Sequence, residues 1–143
     1  MSKIYFFEED ISFKPKHKGK IRTLLQELCF HEQIVMGDIN IIFCSDEYLL
    51  KLNKEYLQHD YYTDIITFNT TENQNISGEL FISVERIREN AEGLNIAMGK
   101  EVLRVILHGI LHLCGYNDHE AEDIERIRAK EDFYLSRAAS LGL

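Results

Sequence analysis

Long hydrophobic runs are missing from this chain of 143 residues, and no stretch reaches the length of a membrane-spanning helix. Proline occurs once, at Pro15, ahead of the first predicted helix, where it interrupts nothing. Repeats, low-complexity tracts and linker-like segments are also lacking. Residues 1–143 are therefore expected to form a single domain with a sizeable core. Cysteine is scarce: Cys29, Cys44 and Cys114 are odd in number and have no CxxC spacing, which argues against a disulfide framework and fits a reducing cytoplasm. Residues 1–10 show no basic region followed by a long apolar run, so no secretory leader is expected. Positive charge is in short supply, with 16 Lys and Arg against 24 Asp and Glu and a net charge of -8. That balance weighs against a nucleic-acid partner at first sight.

The charge is unevenly spread. Residues 14–22 hold Lys14, Lys16, Lys18, Lys20 and Arg22 and no acid. Such a run reads first as a solvated helix start and second as a patch for phosphates on an otherwise acidic protein. Apolar periodicity predicts a strand over 3–7, a helix over 18–31, a strand over 37–44, a helix over 46–56 capped by Ser45, and a strand over 63–68. The polar run 69–77 reads as a turn, and 79–84 as a hairpin partner strand. Helices are expected over 85–96, 99–114 and 120–139, the middle one apolar almost all round and so central. Strands first and helices later predict an α+β fold. Its expected form is a small mixed four-stranded sheet with helices mainly on one face and a metal site at the end of the central helix.

The most informative segment is His108-Gly109-Ile110-Leu111-His112-Leu113-Cys114-Gly115-Tyr116-Asn117-Asp118-His119. His108 and His112 share a helix face at i, i+4, and burying two imidazoles on an apolar helix is costly unless both are paired. Gly115 ends the helix and lets the chain turn back, so that Asp118 or His119 supplies a third ligand. Spacing favours Asp118, six residues past His112, whereas ligand preference favours His119. Three protein ligands leave one position open, the mark of a catalytic zinc site, although imidazole also suits nickel and copper. Cys114 lies off that face and reads as core. Zinc proteases place a glutamate after the first histidine, and Gly109 stands there, which excludes that mechanism. A glycine in a helix costs about 1 kcal/mol against alanine, so Gly109 is expected to allow close approach of a neighbouring element or the substrate.

The pattern His108-Gly-x-Leu-His112-Leu-x-Gly115-Tyr116, followed by Asp-His, resembles the signature of the YbeY endoribonucleases, bacterial rRNA maturation factors. Leu52-Asn53-x-x-Tyr56, Thr63-Asp64-Ile65-Ile66-Thr67-Phe68 and Gly78-Glu79-Leu80-Phe81-Ile82-Ser83 are similar to that family's upstream blocks. The resemblance implies one Zn2+ per chain, single-strand-specific RNA cleavage, 16S rRNA 3′-end maturation and ribosome quality control. It implies rRNA in the small ribosomal subunit, and ribosomal or GTPase proteins, as partners, with no membrane. Two departures stand out. The family commonly ends its motif Gly-Tyr-Asp-His, whereas here Asn117 precedes Asp118 and His119. Either a residue is inserted and His119 is the ligand, or the alignment is ungapped and Asp118 takes the role. The family also tends to carry an arginine after the tyrosine of the Leu-Asn block. Leu57 stands there, leaving Lys54 or His59 as candidate substrate contacts.

The member of the Asp118/His119 pair that is not a ligand is free to orient a ligand or to move a proton. Tyr61 and Tyr62 read either as stacking surfaces for unpaired bases or as packing around a strand start. Two rival readings remain at this level: a metal-dependent hydrolase of a non-RNA substrate, and a ribosome-associated module with a structural zinc.

Overall fold

Nine elements run through residues 3–143, the part described by the computed structural model: β1 (Ile4–Glu8), α1 (Lys18–His31), β2 (Val35–Cys44), α2 (Asp46–Leu57), β3 (Ile65–Asn69), β4 (Asn75–Ser83), α3 (Val84–Leu94), α4 (Met98–Leu113) and α5 (Ala121–Ser140). Met1 and Ser2, the head of the stretch read for a leader, lie outside the described residues. The strands form one mixed sheet in the order β1-β2-β4-β3, with β1, β2 and β4 parallel and β3 antiparallel to β4. The expected α+β class, the mixed sheet and the β3–β4 hairpin all hold.

Alternation along the strands separates two cores. Ile39, Ile41 and Phe43 of β2 and Leu80 and Ile82 of β4 turn to one face, where α1, α3, α4 and α5 pack in a single buried cluster. Cys44, Ile66 and the partly buried Phe81 turn to the other face, where they meet Leu49 of α2. Helices thus lie mainly on one face, with α2 by itself on the other. Within α4, Val102, Leu103, Val105, Ile106, Leu107, Ile110, Leu111 and Leu113 are all buried, which makes it the central helix. No helix among the described residues is long and apolar enough to cross a membrane.

Strand limits differ from expectation where pairing overrides composition. β4 begins at Asn75, inside the run read as a turn, because Asn75 and Ile76 pair with Val35 and Met36 at the start of β2. β3 begins at Ile65 instead of residue 63, and its pairing with β4 starts at Ile65↔Ile82.

Gly109 is where α4 touches the sheet. A Cβ there would lie 2.6 Å from Leu80 Cδ2 and 2.8 Å from Ile65 Cδ1. The close approach expected of this glycine is therefore to a neighbouring element. Gly109→Ala gains about 1 kcal/mol of helix propensity but overpacks a closed core, at about 1–3 kcal/mol. The expected result is a net fall in melting temperature on thermal denaturation. A rise would mean that helix and sheet part without strain.

Candidate metal centre

Helical spacing puts His108 and His112 one turn apart on α4, and both rings are partly exposed. Their Nε2 atoms are 3.1 Å apart. Asp118 Oδ2 lies 3.4 Å from each of them. One donor atom from each of the three residues lies within 4.8 Å of the other two, close enough to share a metal ion. Ligand bonds of about 2.0–2.1 Å in a tetrahedron set donor atoms about 3.3 Å apart. The two nitrogens and the oxygen therefore fit three corners of such a tetrahedron.

The loop that delivers Asp118 is built from a specific turn. Gly115 adopts φ 105°, the left-handed region in which glycine meets no steric penalty. Its N–H donates to His112 O at 3.0 Å, and Tyr116 N–H donates to Leu111 O at 3.1 Å, the paired bonds of a Schellman helix end. Tyr116 then anchors the loop from outside, its hydroxyl donating to Glu32 Oε1 at 2.6 Å. Lys130 and Tyr134 also donate to Glu32. Burial opposes the ionised form of Glu32, but these hydrogen bonds and the Lys130 charge hold its carboxyl below the usual range.

Behind His108 stands a buried polar relay. His108 Nδ1 is 2.6 Å from Glu131 Oε2. Arg104 bridges Glu131 Oε1, at 3.2 Å, and both carboxylate oxygens of Glu101. Glu101 and Glu131 are both buried, so each needs the partners it has. Burial disfavours the charged His108 ring, but the Glu131 hydrogen bond and charge, with Asp118 and Asp64, raise its pKa above the ordinary value. A proton on Nδ1 directed at Glu131 leaves the Nε2 lone pair for an ion. Asp64, in the loop before β3, feels the His108 and Arg104 charges, yet burial prevails and raises its pKa.

A search of family models matches residues 3–139 to Endoribonuclease YbeY. The chain belongs to the YbeY endoribonuclease family. It is 45% identical over 134 residues to Endoribonuclease YbeY of Cytophaga hutchinsonii, covering 93% of this chain and 94% of that one. Identity to Endoribonuclease YbeY of Porphyromonas gingivalis is 42% over 132 residues, covering 92% of this chain and 87% of the relative. Among solved structures, the solution structure of TM1509 from Thermotoga maritima superposes with a TM-score of 0.63 at 26% identity, over 94% of this chain and 88% of that one.

The remaining residues singled out in this YbeY-family sequence fall in different places. His119 is exposed and is not part of the three-donor group. Lys54 lies 3.4 Å from Asp60, and His59 stacks on Tyr61; Leu57, at the end of α2, is exposed. Cys114 packs against the core, as expected. The basic stretch lies elsewhere: Lys14, Lys16 and His17 line a largely apolar cavity of about 880 Å³ that also takes in Met98–Lys100 at the start of α4. At 1.5 Å per residue, that end of α4 is roughly 18 Å from His112.

Glu131 and Arg104 went unnoticed in the sequence. One signal was present, since Glu131 falls on the stripe Ile127, Tyr134, Ala138 that α5 buries. A carboxylate on an apolar stripe has a buried partner to find.

Proposed function

We propose that this chain is a metal-dependent endoribonuclease that cleaves single-stranded RNA, with zinc as its metal and the 3′ end of 16S rRNA as its substrate. The observation that carries the reading is the convergence of His108 Nε2, His112 Nε2 and Asp118 Oδ2 at 3.1–3.4 Å in a YbeY-family chain. Two imidazoles and a carboxylate are a zinc donor set with a position to spare. His108, His112 and Asp118 would hold the ion, which when bound would supply Lewis acidity toward a phosphoryl oxygen and toward water.

The chain's own groups do the rest. Glu131 holds His108 with Nε2 forward, and the Gly115 turn with its Glu32 anchor holds Asp118 in reach. His119, exposed beside Asp118, is a proton-transfer group for the leaving ribose oxygen, since imidazole can both donate and accept a proton. Lys54 and His59, on either side of Leu57 in the sequence, are the substrate contacts of this reading in place of the family's arginine. Through the family, the same reading extends to the cytoplasm, to ribosome quality control, and to small-subunit, ribosomal or GTPase proteins as partners.

Purified protein is expected to contain about one zinc per chain by elemental analysis. It should cleave a single-stranded rRNA 3′-end substrate, lose that activity on chelation and regain it with zinc. Undiminished cleavage by metal-free protein would remove the basis of this mechanism. Bound zinc without cleavage of any RNA would favour a hydrolase of another substrate or a structural zinc.

A further inference from the structure

Three of the seven exposed Phe and Tyr rings among the described residues fall in one short segment. Tyr56, Tyr61 and Tyr62 are 63%, 56% and 47% exposed, with Leu57 between them at 43%. Large apolar side chains gathered at the surface mark a binding surface more often than scattered ones do. The segment is ordered from behind. Buried Asn53 donates from Nδ2 to Tyr61 O at 2.9 Å, and His59 N–H donates to Asn53 O at 3.0 Å. Each tyrosine ring is also supported by a neighbouring group. The His59 ring stacks on Tyr61, centroids 5.1 Å apart at 20°, and the Tyr61 hydroxyl pairs with His59 Nδ1 at 2.9 Å. The Arg86 guanidinium lies 5.4 Å from the Tyr62 ring centroid, and the Tyr62 hydroxyl donates to Glu47. The rings are thus fixed while much of their surface faces solvent.

The segment leads straight to the metal centre. Two residues on from Tyr62 is Asp64, no more than about 7 Å away along the chain, and its carboxylate feels the His108 charge. The next residue, Ile65, packs against Gly109 between the two histidines.

We infer that Tyr61 and Tyr62 form a stacking ledge for unpaired bases of the RNA strand next to the metal centre. This rests on the endoribonuclease reading above and adds to it how the strand is held. Of the cations nearby, Arg86 is engaged with Asp46 and Glu89, and Lys54, the single substrate-contact lysine of the reading above, forms an exposed pair with Asp60. The ledge therefore contributes base stacking, which tolerates any sequence, and few phosphate contacts.

The test is binding of a labelled single-stranded RNA oligonucleotide to the full chain, measured by fluorescence anisotropy across a salt series. An H112A background keeps the strand intact. The Y61A/Y62A double variant is expected to bind at least about tenfold more weakly, with an unchanged slope of log affinity against log salt. Y61F/Y62F, which keeps both rings, should bind like the parent. An oligonucleotide scan with single abasic positions should weaken the parent at one or two positions and leave Y61A/Y62A indifferent there. Circular dichroism checks that the variants fold. If Y61A/Y62A binds as tightly as the parent, the ledge is refuted and the endoribonuclease reading stands. If affinity falls together with the salt slope, charge and not stacking holds the strand, and the ledge is refuted too. If neither this parent nor the zinc-loaded wild-type chain binds single-stranded RNA, both readings fall together.

Discussion

His112→Ala is expected to leave the protein folded, without bound metal, and with RNA cleavage reduced on the order of a thousandfold or more, because Lewis-acid chemistry has no substitute among the remaining side chains. His112 makes the cleanest change: it is partly exposed, and its partners among the described residues, His108 and Asp118, are partly exposed too. His108→Ala removes the metal as well, but it also takes the partner from Oε2 of the buried Glu131, which keeps Arg104 on Oε1, and should therefore lower stability more. The companion variants decide the third ligand. Asp118→Ala should lose the metal on elemental analysis. His119→Ala should keep it, with any defect confined to kcat. The reverse pattern would move the third corner of the site from Asp118 to His119 and would mean that the Gly115 turn opens differently in solution.

Glu131→Ala is expected to cost about 3–5 kcal/mol in stability, because Arg104 and His108 each lose a buried partner at once. Glu131→Gln is the more informative change. It preserves shape and a hydrogen bond to His108 but removes the charge that steadies the ring. Losing such a supporting group commonly weakens metal affinity about 10–100-fold, read here by competition with a chromophoric chelator. Thermal denaturation alongside separates the two effects. The alanine variant should show mainly a lower melting temperature, and the glutamine variant mainly weaker zinc. Unchanged metal affinity in Glu131→Gln would reduce the relay to a packing device.

The two histidines were legible because helix geometry alone fixes i, i+4 on one face, and the apolar sequence around them marked α4 as central. The choice between Asp118 and His119 was not legible. It depends on how far the chain turns after Gly115, and that is set by Tyr116 reaching Glu32, a residue 84 positions away in the chain. Glu131 was hidden for a related reason: α5 reads as a charged helix, and only its docking against α4 shows that one of its acids lies inward. The sheet's helix-covered face followed from alternation. The extension of β4 back to Asn75 did not, because polar residues there are strand only by pairing with β2. The basic stretch was visible as charge but not as place, and the fold carries it to the opposite end of α4 from the histidines.

The cysteines, counted at the outset only to exclude a disulfide framework, bear on how the protein ages. Burial, aided by nearby acids, pushes Cys29 up to about 11 and Cys44 and Cys114 up to about 12. At neutral pH essentially none of the three is a thiolate, the form that peroxides and alkylating agents attack. The candidate ligands are nitrogen and oxygen, with no sulfur among them. Oxidants that dismantle thiolate zinc centres would find no such target here, and an ion held by these nitrogen and oxygen donors would be indifferent to the redox state of the cell.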